Sequence, residues 1–390
     1  MKKIALLCLC LGMGLAVAAA PAGAAEVRGV TADTIKIGQW GPQTGPAALW
    51  GAVARGTGIY FKMLNDDGGI NGRKFDYYLR DDGYQPNRTK AIVKELVDSV
   101  GVFGFVGGVG TAPGMAAMPL LVEKNVPWVG MTTGSTHWAY PPKKTVFALY
   151  PLYKDEAQIL TRYALDTLGK KKLAFLYQND DYGKGGLEGA QKEMAARNMK
   201  LTAEVPCEVT DTDLQSHILK LKESGADCVI MWLLPKQAVI SIGTAAKLGY
   251  KPQWMACSTL SDTALMFKIS KGLWKGVMYG NFALPPDSDN PLMVKYHEAQ
   301  KKYAPQENWG VFLYAGFGFA EPMVEGLKRA GKDLTVDSFV AAMETLKDFQ
   351  GIMGKISFGP DQRQGMRQVF LGTCDDKGKV KRLSDWLSAE

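Results

Sequence analysis

Apolar and polar positions follow two different periods along most of the chain. Short β-rich apolar runs, among them TIKIGQW, KFDYYLRDD and VFGFVGG, alternate with longer segments whose apolar residues lie three or four positions apart. The first pattern is typical of strands and the second of amphipathic helices, as in 46–65. From residue 35 onward the chain is therefore predicted to consist of βα units, which form parallel sheets covered by helices.

The alternation begins again near residue 150, so it has two similar halves. After the second half come a mainly helical section, 290–347, and a β-rich tail, 350–373. The tail is too short to form its own core and is expected to return to the earlier units. We predict an α/β fold of two doubly wound parallel-sheet lobes joined by a multi-strand hinge.

The predicted domain boundaries follow from the places where the chain crosses between lobes. The first lobe comprises 26–149 plus 282–366, the second comprises 150–281 plus 367–390, and a ligand cleft lies between them. Ligands of open α/β sheets bind beyond the carboxyl ends of the strands. The loops at those ends are therefore the places to look for chemistry.

The N-terminal segment has a different pattern. Two lysines precede an apolar run that ends in the small residues AGAA, the arrangement of a Sec-type signal peptide, and residues 1–25 are assigned to it. No later segment has the roughly 18 consecutive apolar residues that a membrane helix needs. We predict a protein exported to the periplasm, with no membrane insertion of the mature chain.

Charge and cysteine content exclude other classes. The formal net charge of +7 includes Lys2 and Lys3 of the predicted signal, and the other basic residues are scattered apart from GKKK and KGKVKR. No nucleic-acid partner is therefore expected. The four cysteines of the predicted mature chain follow no metal-binding spacing, and their pairing stays open: Cys207, Cys228, Cys257 and Cys374.

Enzyme motifs are incomplete. The run GGVGTAPG places Pro113 where the dinucleotide fingerprint needs glycine, and neither a P-loop nor a nucleophile elbow occurs. The segment HEAQK lacks the second histidine of a zinc-protease motif, and the three histidines of the chain are scattered. We predict no catalytic residue, no metal site and no cofactor.

Five strand-end loops remain as candidates: GPQTGPAALWG, GGVGTAPG, MTTGST, QNDDYGKGG and ACSTLSD. The first three supply glycine backbone N–H groups and threonine hydroxyls without positive charge. Such groups suit a carboxylate or a polar amide at helix N-termini. The alternative is that glycine and threonine serve here only as turn and N-cap residues.

These segments resemble the type I periplasmic solute-binding proteins of the branched-chain amino acid (Leu/Ile/Val) class, which serve ABC importers. The matching stretches are IKIGQWGPQTGPAALWG, LNDDGGINGRKFDYYLRDDGYQPNRTKAIVKELV, YQNDDYGKGG, GADCVIMW and ISFGPDQRQGMRQVFLGT. The Gly-Thr loop after VFGFVGG also matches, and the match extends over essentially the whole mature chain in the family's order. The resemblance implies two lobes that close on a small ligand and deliver it to a permease.

The resemblance also implies ligand contacts. These are Trp50 against the ligand side chain, Gly108, Gly110, Thr111, Thr132 and Thr133 around its carboxylate, Tyr182 from the second lobe, and Trp309 from the late helical section. Tyr150 is a further candidate for stacking on the ligand, and its alternative is a core position.

Departures from the family pattern concern the ligand's ammonium group. Leucine-type members have a glutamate where this chain has Ser258 and a tyrosine where it has Leu234, while Asp262 is an alternative ammonium partner. Ser258 and Leu234 are themselves predicted to contact the ligand, as the resemblance implies. Tyr84 and Gly107 stand at the positions of the family's small disulfide. Because a buried ammonium needs a partner, we expect a carboxylate- or amide-bearing ligand with an apolar or aromatic body, not necessarily an amino acid.

The predicted function is thus an extracytoplasmic receptor that closes on a small solute and delivers it to an ABC permease. A ligand-sensing partner of a membrane signalling receptor is an alternative, because the same fold serves both. An exported enzyme is a minor alternative.

Overall fold

The computed structural model describes residues 26–389, so the predicted signal peptide, 1–25, lies outside the described residues. Two separate sheets organise the described chain. The first is five-stranded and entirely parallel, with strand order β2-β1-β3-β4-β5. Its strands are β1 Thr34–Trp40, β2 Lys74–Arg80, β3 Gly104–Val106, β4 Trp128–Val129 and β5 Val146–Phe147.

Six helices accompany the first sheet. They are α1 Ala52–Asp66, α2 Pro86–Glu95, α3 Thr111–Glu123, α9 Pro291–Tyr303, α10 Val311–Ala330 and α11 Val336–Glu344. The first three alternate with the strands, as the sequence pattern predicts. The last three come from the late helical section, and α10 returns to pack against α1 and the sheet. We call this sheet and its helices the first lobe.

The second sheet has seven strands in the order β12-β11-β10-β9-β8-β6-β7. Its strands are β6 Leu173–Gln178, β7 Ala203–Cys207, β8 Cys228–Trp232, β9 Gln253–Ala256, β10 Met278–Asn281, β11 Phe370–Cys374 and β12 Val380–Arg382. The accompanying helices are α4 Tyr153–Arg162, α5 Asp181–Ala195, α6 Gln215–Glu223, α7 Pro235–Lys247 and α8 Thr263–Ile269. We call this sheet and its helices the second lobe.

The prediction of parallel sheets needs one correction at the edge of the second lobe. Strands β10 to β11 and β11 to β12 pair antiparallel, whereas the other pairs of that sheet are parallel. The reason is the return of the β-rich tail: it reaches β10 directly from the hinge and continues as a hairpin, without a crossover helix that would make it parallel.

Two glycines bring α1 and α10 into backbone contact. A Cβ at Gly56 would lie 2.0 Å from the Leu313 carbonyl oxygen, and one at Gly316 would lie 2.0 Å from the Val53 carbonyl oxygen. The Thr57 hydroxyl donates to the Gly316 carbonyl at 3.1 Å. This close packing fixes the N-terminus of α10 beside the cleft.

Three chain crossings connect the lobes, after β5, after β10 and before β11. These crossing segments are hydrogen-bonded to other segments of the same chain. Gly365 N donates to Ala148 O at 2.8 Å, and Leu284 N donates to Ile352 O at 2.9 Å. A hinge made of several paired segments restricts the lobes to a defined opening motion. The exact division of the chain between lobes, at 149, 281 and 366, stays a prediction.

Candidate functional site

A small cavity of about 20 Å³ lies between the lobes, beyond the carboxyl ends of the strands. It is lined by Trp50, Tyr84, Val109, Gly110, Thr111, Thr132, Tyr153, Tyr182, Leu234 and Thr259. The first six belong to the first lobe and the last four to the second. Four of the ten are aromatic, so most of the wall consists of ring faces and edges.

The polar part of the first-lobe wall is the N-terminus of α3 and the loop beside it. Gly110 is the N-cap residue of α3 and supplies no side-chain cap, so the first N–H groups of the helix lack an intrahelical partner. The hydroxyls of Thr111 and Thr133 are 2.7 Å apart and hydrogen-bonded. The hydroxyl of Thr132, a residue 5% exposed, has no hydrogen-bond partner. This wall can therefore donate hydrogen bonds to an anionic or polar group.

The polar part of the second-lobe wall centres on Tyr182. Its hydroxyl is 2.6 Å from Thr259 Oγ1 and 3.2 Å from Cys257 Sγ, and it donates to the Leu233 carbonyl at 3.1 Å. Burial raises the pKa of Tyr182 well above its ordinary value, so the hydroxyl is protonated at neutral pH. The ring of Tyr153 meets that of Tyr182 edge-on, with centroids 5.1 Å apart. This wall is polar but uncharged.

Contacts across the cleft show that the lobes are closed. The Trp50 indole N–H donates to the Thr259 carbonyl at 3.2 Å. Tyr153 N donates to the Gly134 carbonyl at 2.8 Å, and helix α3 of the first lobe packs against α5 of the second. Side chains of both lobes therefore line the cavity together.

No charged side chain lines the cavity within residues 26–389. Asp262, the alternative ammonium partner, is buried, and its two carboxylate oxygens accept from Leu265 N at 3.3 Å and Phe312 N at 3.1 Å. Its carboxylate caps two helices and does not reach the cavity. That Ser258 and Leu234 leave a ligand's ammonium group without a charged partner stays a prediction.

Ser258 and Tyr150 lie beneath the cavity rather than on its wall. Their hydroxyl oxygens are 2.8 Å apart, and Ser258 donates its N–H and its hydroxyl to the carboxylate of Glu156. The ring of Tyr150 is stacked on Phe319 in the hinge core, with centroids 6.0 Å apart. The expected ligand contacts at both residues are therefore replaced by core contacts.

Gly108 and Trp309 also lie outside the cavity. A Cβ at Gly108, where φ is +90°, would lie 2.4 Å from the Trp40 ring, so this glycine allows the loop to pass the indole. Trp309 stacks on His297 with centroids 4.7 Å apart and lines an external groove of about 530 Å³. Its predicted place against the ligand does not match this position, because its indole N–H donates to the Pro286 carbonyl at 2.9 Å in the groove.

Six of the predicted residues line the cavity: Trp50, Gly110, Thr111, Thr132, Tyr182 and Leu234. Thr133 supports it through Thr111. Sequence reasoning missed Tyr84, Val109, Tyr153 and Thr259 as wall residues. Tyr153 was detectable because it opens the first helix after a chain crossing, whereas no sequence signal distinguishes Tyr84 from other loop tyrosines.

Three further observations concern metal-binding groups, cysteines and apolar helices in the part of the chain that the structure describes. No group of three or more His, Cys, Asp or Glu side chains is placed to hold a metal ion. The four described cysteines are buried and free. Across residues 26–389, no helix combines the length and apolar character needed to cross a membrane.

Comparison with known proteins gives the family. The family model described as periplasmic binding protein matches residues 34–379. The leucine-, isoleucine-, valine-, threonine- and alanine-binding protein of Pseudomonas aeruginosa is 23% identical over 307 residues, which cover 78% of this chain and 80% of that protein. Leu/Ile/Val-binding protein homolog 1 of Brucella abortus is 24% identical over 322 residues, with coverages of 81% and 84%.

Solved structures share the fold. A branched-chain amino acid ABC transporter protein of Thermus thermophilus with bound valine superposes with a TM-score of 0.85 at 18% identity, covering 91% of this chain and 97% of that one. A fatty acid ABC transporter substrate-binding protein of Thermomonospora curvata gives 0.85 at 23% identity, with coverages of 94% and 96%. Members of the matched family are extracytoplasmic solute-binding proteins and not enzymes. The chain belongs to the periplasmic binding protein family, whose model matches most of it.

Proposed function

We propose that this protein captures a small carboxylate- or amide-bearing solute with an apolar or aromatic body and delivers it to the permease of an ABC importer. The proposed location is the periplasm, reached through residues 1–25 as a signal peptide. Capture uses lobe closure, because a ligand that contacts both lobes favours the closed state by its differential affinity.

The observation that carries the proposal is the chemistry of the cavity wall. It offers the unpartnered hydroxyl of Thr132 and the uncapped N-terminus of α3, and among residues 26–389 it includes no charged side chain. A carboxylate or amide finds donors there, whereas an ammonium would be buried without a counter-charge. The aromatic rings of Trp50, Tyr84, Tyr153 and Tyr182 suit an apolar or planar body.

The relatives are consistent with this class of ligand. Valine, bound in the Thermus thermophilus protein, and fatty acids, named for the Thermomonospora curvata protein, share a carboxylate, and only valine has an α-ammonium. Both relatives are named as ABC transporter proteins, which supports the proposed permease partner.

A thermal-shift screen tests the proposal. The panel contains branched-chain and aromatic amino acids, aliphatic and aromatic monocarboxylates, and the corresponding amides. A ligand that binds only the folded state stabilises it by about 2.7 kcal/mol at 100 times its Kd. We expect shifts with carboxylates or amides. Shifts with amino acids alone would overturn the proposed ligand class, and an unshifted panel would count against solutes of this size.

A further inference from the structure

The Asp262 side chain joins the two lobes at a point outside the cavity. Asp262 is the N-cap residue of α8 in the second lobe, and its Oδ1 accepts from Leu265 N at 3.3 Å. Its Oδ2 accepts from Phe312 N, at 3.1 Å, in the first turn of α10 in the first lobe. One carboxylate therefore caps helices of opposite lobes.

The contact has the chemistry of a helix cap on both sides. The first N–H groups of a helix have no intrahelical partner, and the positive end of the helix dipole favours an anion there. Gly310, the N-cap residue of α10, provides no side-chain cap of its own. The carboxylate of Asp262 supplies the missing acceptor only when the lobes are together.

The fit between the lobes leaves no room beside this carboxylate. A Cβ at Gly310 would lie 2.4 Å from Asp262 Oδ2 and 2.7 Å from Oδ1, although the extended backbone at Gly310 suits any residue. The ring of Trp50 packs on Phe312 with centroids 4.5 Å apart and reaches across to Thr259. A polar and an aromatic contact thus meet at the same end of α10.

We propose that Asp262 is a latch that stabilises the closed state independently of the ligand. When the lobes separate, the Phe312 N–H loses this acceptor and is hydrogen-bonded to water instead. The Asp262 carboxylate then caps only α8. The latch raises the fraction of ligand-free molecules that are closed, and it therefore sets how much of the ligand's binding free energy is spent on closure. The inference rests on lobe closure, which is part of the proposed function.

The test uses two variants of the ligand-free protein, one in each lobe. Asp262→Asn keeps a good N-cap for α8 but leaves a single carbonyl oxygen to serve two N–H donors. Gly310→Ala keeps the carboxylate and blocks its approach. Amide exchange of segment 310–314 reports the latch bond, and the radius of gyration from small-angle X-ray scattering reports lobe opening.

Both variants are expected to exchange about tenfold faster at 310–314, which corresponds to about 1.4 kcal/mol, and to have a larger radius of gyration. Thr335→Ala is the matched control, because it removes an N-cap whose hydrogen bonds stay within α11 of the first lobe, and it is expected to leave both readouts unchanged. Faster amide exchange at 310–314 without a larger radius of gyration would show that Asp262 is only a local helix cap and would overturn the latch proposal. Unchanged amide exchange would also overturn it. Because no ligand is present, neither outcome bears on the solute-binding proposal.

Discussion

Thr132 carries the clearest prediction at the scale of one residue. We expect Thr132→Val to weaken binding of 3-phenylpropanoate or 4-methylpentanoate about tenfold or more, since a hydrogen bond to a charged group is worth roughly 1.5–3 kcal/mol. Isothermal titration calorimetry measures the change. Thr161→Val is the matched control, because Thr161 is also buried with an unpartnered hydroxyl but does not line the cavity. Equal affinity of the two variants would contradict the role of Thr132.

Glu156 predicts how stability depends on pH. Burial raises the pKa of this carboxyl to about 7, although two hydrogen bonds from Ser258 act in the opposite direction. Folding therefore disfavours the ionised form, so the free energy of unfolding falls as pH rises from about 4.5 to about 7. The fall amounts to roughly 3 kcal/mol at 1.36 kcal/mol per pKa unit. Urea unfolding at pH 5, 6, 7 and 8 should show a smaller fall in Glu156→Gln.

A second buried carboxyl serves as the comparison. Glu321 accepts from the Tyr296 hydroxyl at 2.7 Å and from Ile352 N at 3.0 Å, and burial raises its pKa to about 7 as well. Each glutamine variant is expected to remove part of the pH dependence and the double variant more than either. If the free energy of unfolding depended on pH in all three variants as it does in the unsubstituted protein, Glu156 and Glu321 would not be the groups responsible.

Single residues also mark the limit of sequence reasoning at the site. Several residues in the loops after β3 and β4 were predictable, because glycine- and threonine-rich loops at the carboxyl ends of neighbouring parallel strands meet at one edge of the sheet. The role of Glu156 was not, because a glutamate in a helix is usually exposed and only the tertiary fold brings Ser258 to it. Tyr150 has the same aromatic signal as Trp50, but packing placed it in the hinge core.

At the scale of elements, the loop from β3 to α3 predicts a strong effect of a small substitution. Gly110 has φ of +100°, and a Cβ there would lie 2.5 Å from Tyr84 Cε2. We expect Gly110→Ala to lower the free energy of unfolding by about 2–4 kcal/mol, from backbone strain and overpacking together. Gly72→Ala is the control for backbone strain alone, because Gly72 has φ of +86° and a Cβ added there would have no atom within 4 Å. Equal losses, measured by urea unfolding, would contradict the packing of Tyr84 on this loop.

Element order was predictable because each βα unit carries its own periodic signal. The pairing direction of β11 and β12 was not, because their apolar runs specify strands but not neighbours. The position of Trp309 likewise depends on how the segment between α9 and α10 turns, and the resemblance to the Leu/Ile/Val class fixes only its place in the chain.

At the scale of the whole molecule, the size of the cavity requires motion. A volume of about 20 Å³ holds about one water molecule. Under the proposed function, a solute with an apolar body therefore enters an open form, and the four aromatic side chains pack against it as the lobes close. Closure then depends on contacts from both lobes, which include the ligand's own contacts and the bond between Asp262 and Phe312.

The most direct measurement of the central claim compares ligands that differ only in the α-ammonium group. Isothermal titration calorimetry of 4-methylpentanoate against leucine, and of 3-phenylpropanoate against phenylalanine, holds the carboxylate and the body constant. Because the cavity wall within residues 26–389 offers no charged partner for an ammonium, we predict that the acid of each pair binds at least about tenfold more tightly. Tighter binding of leucine or phenylalanine than of its matched acid would contradict the account.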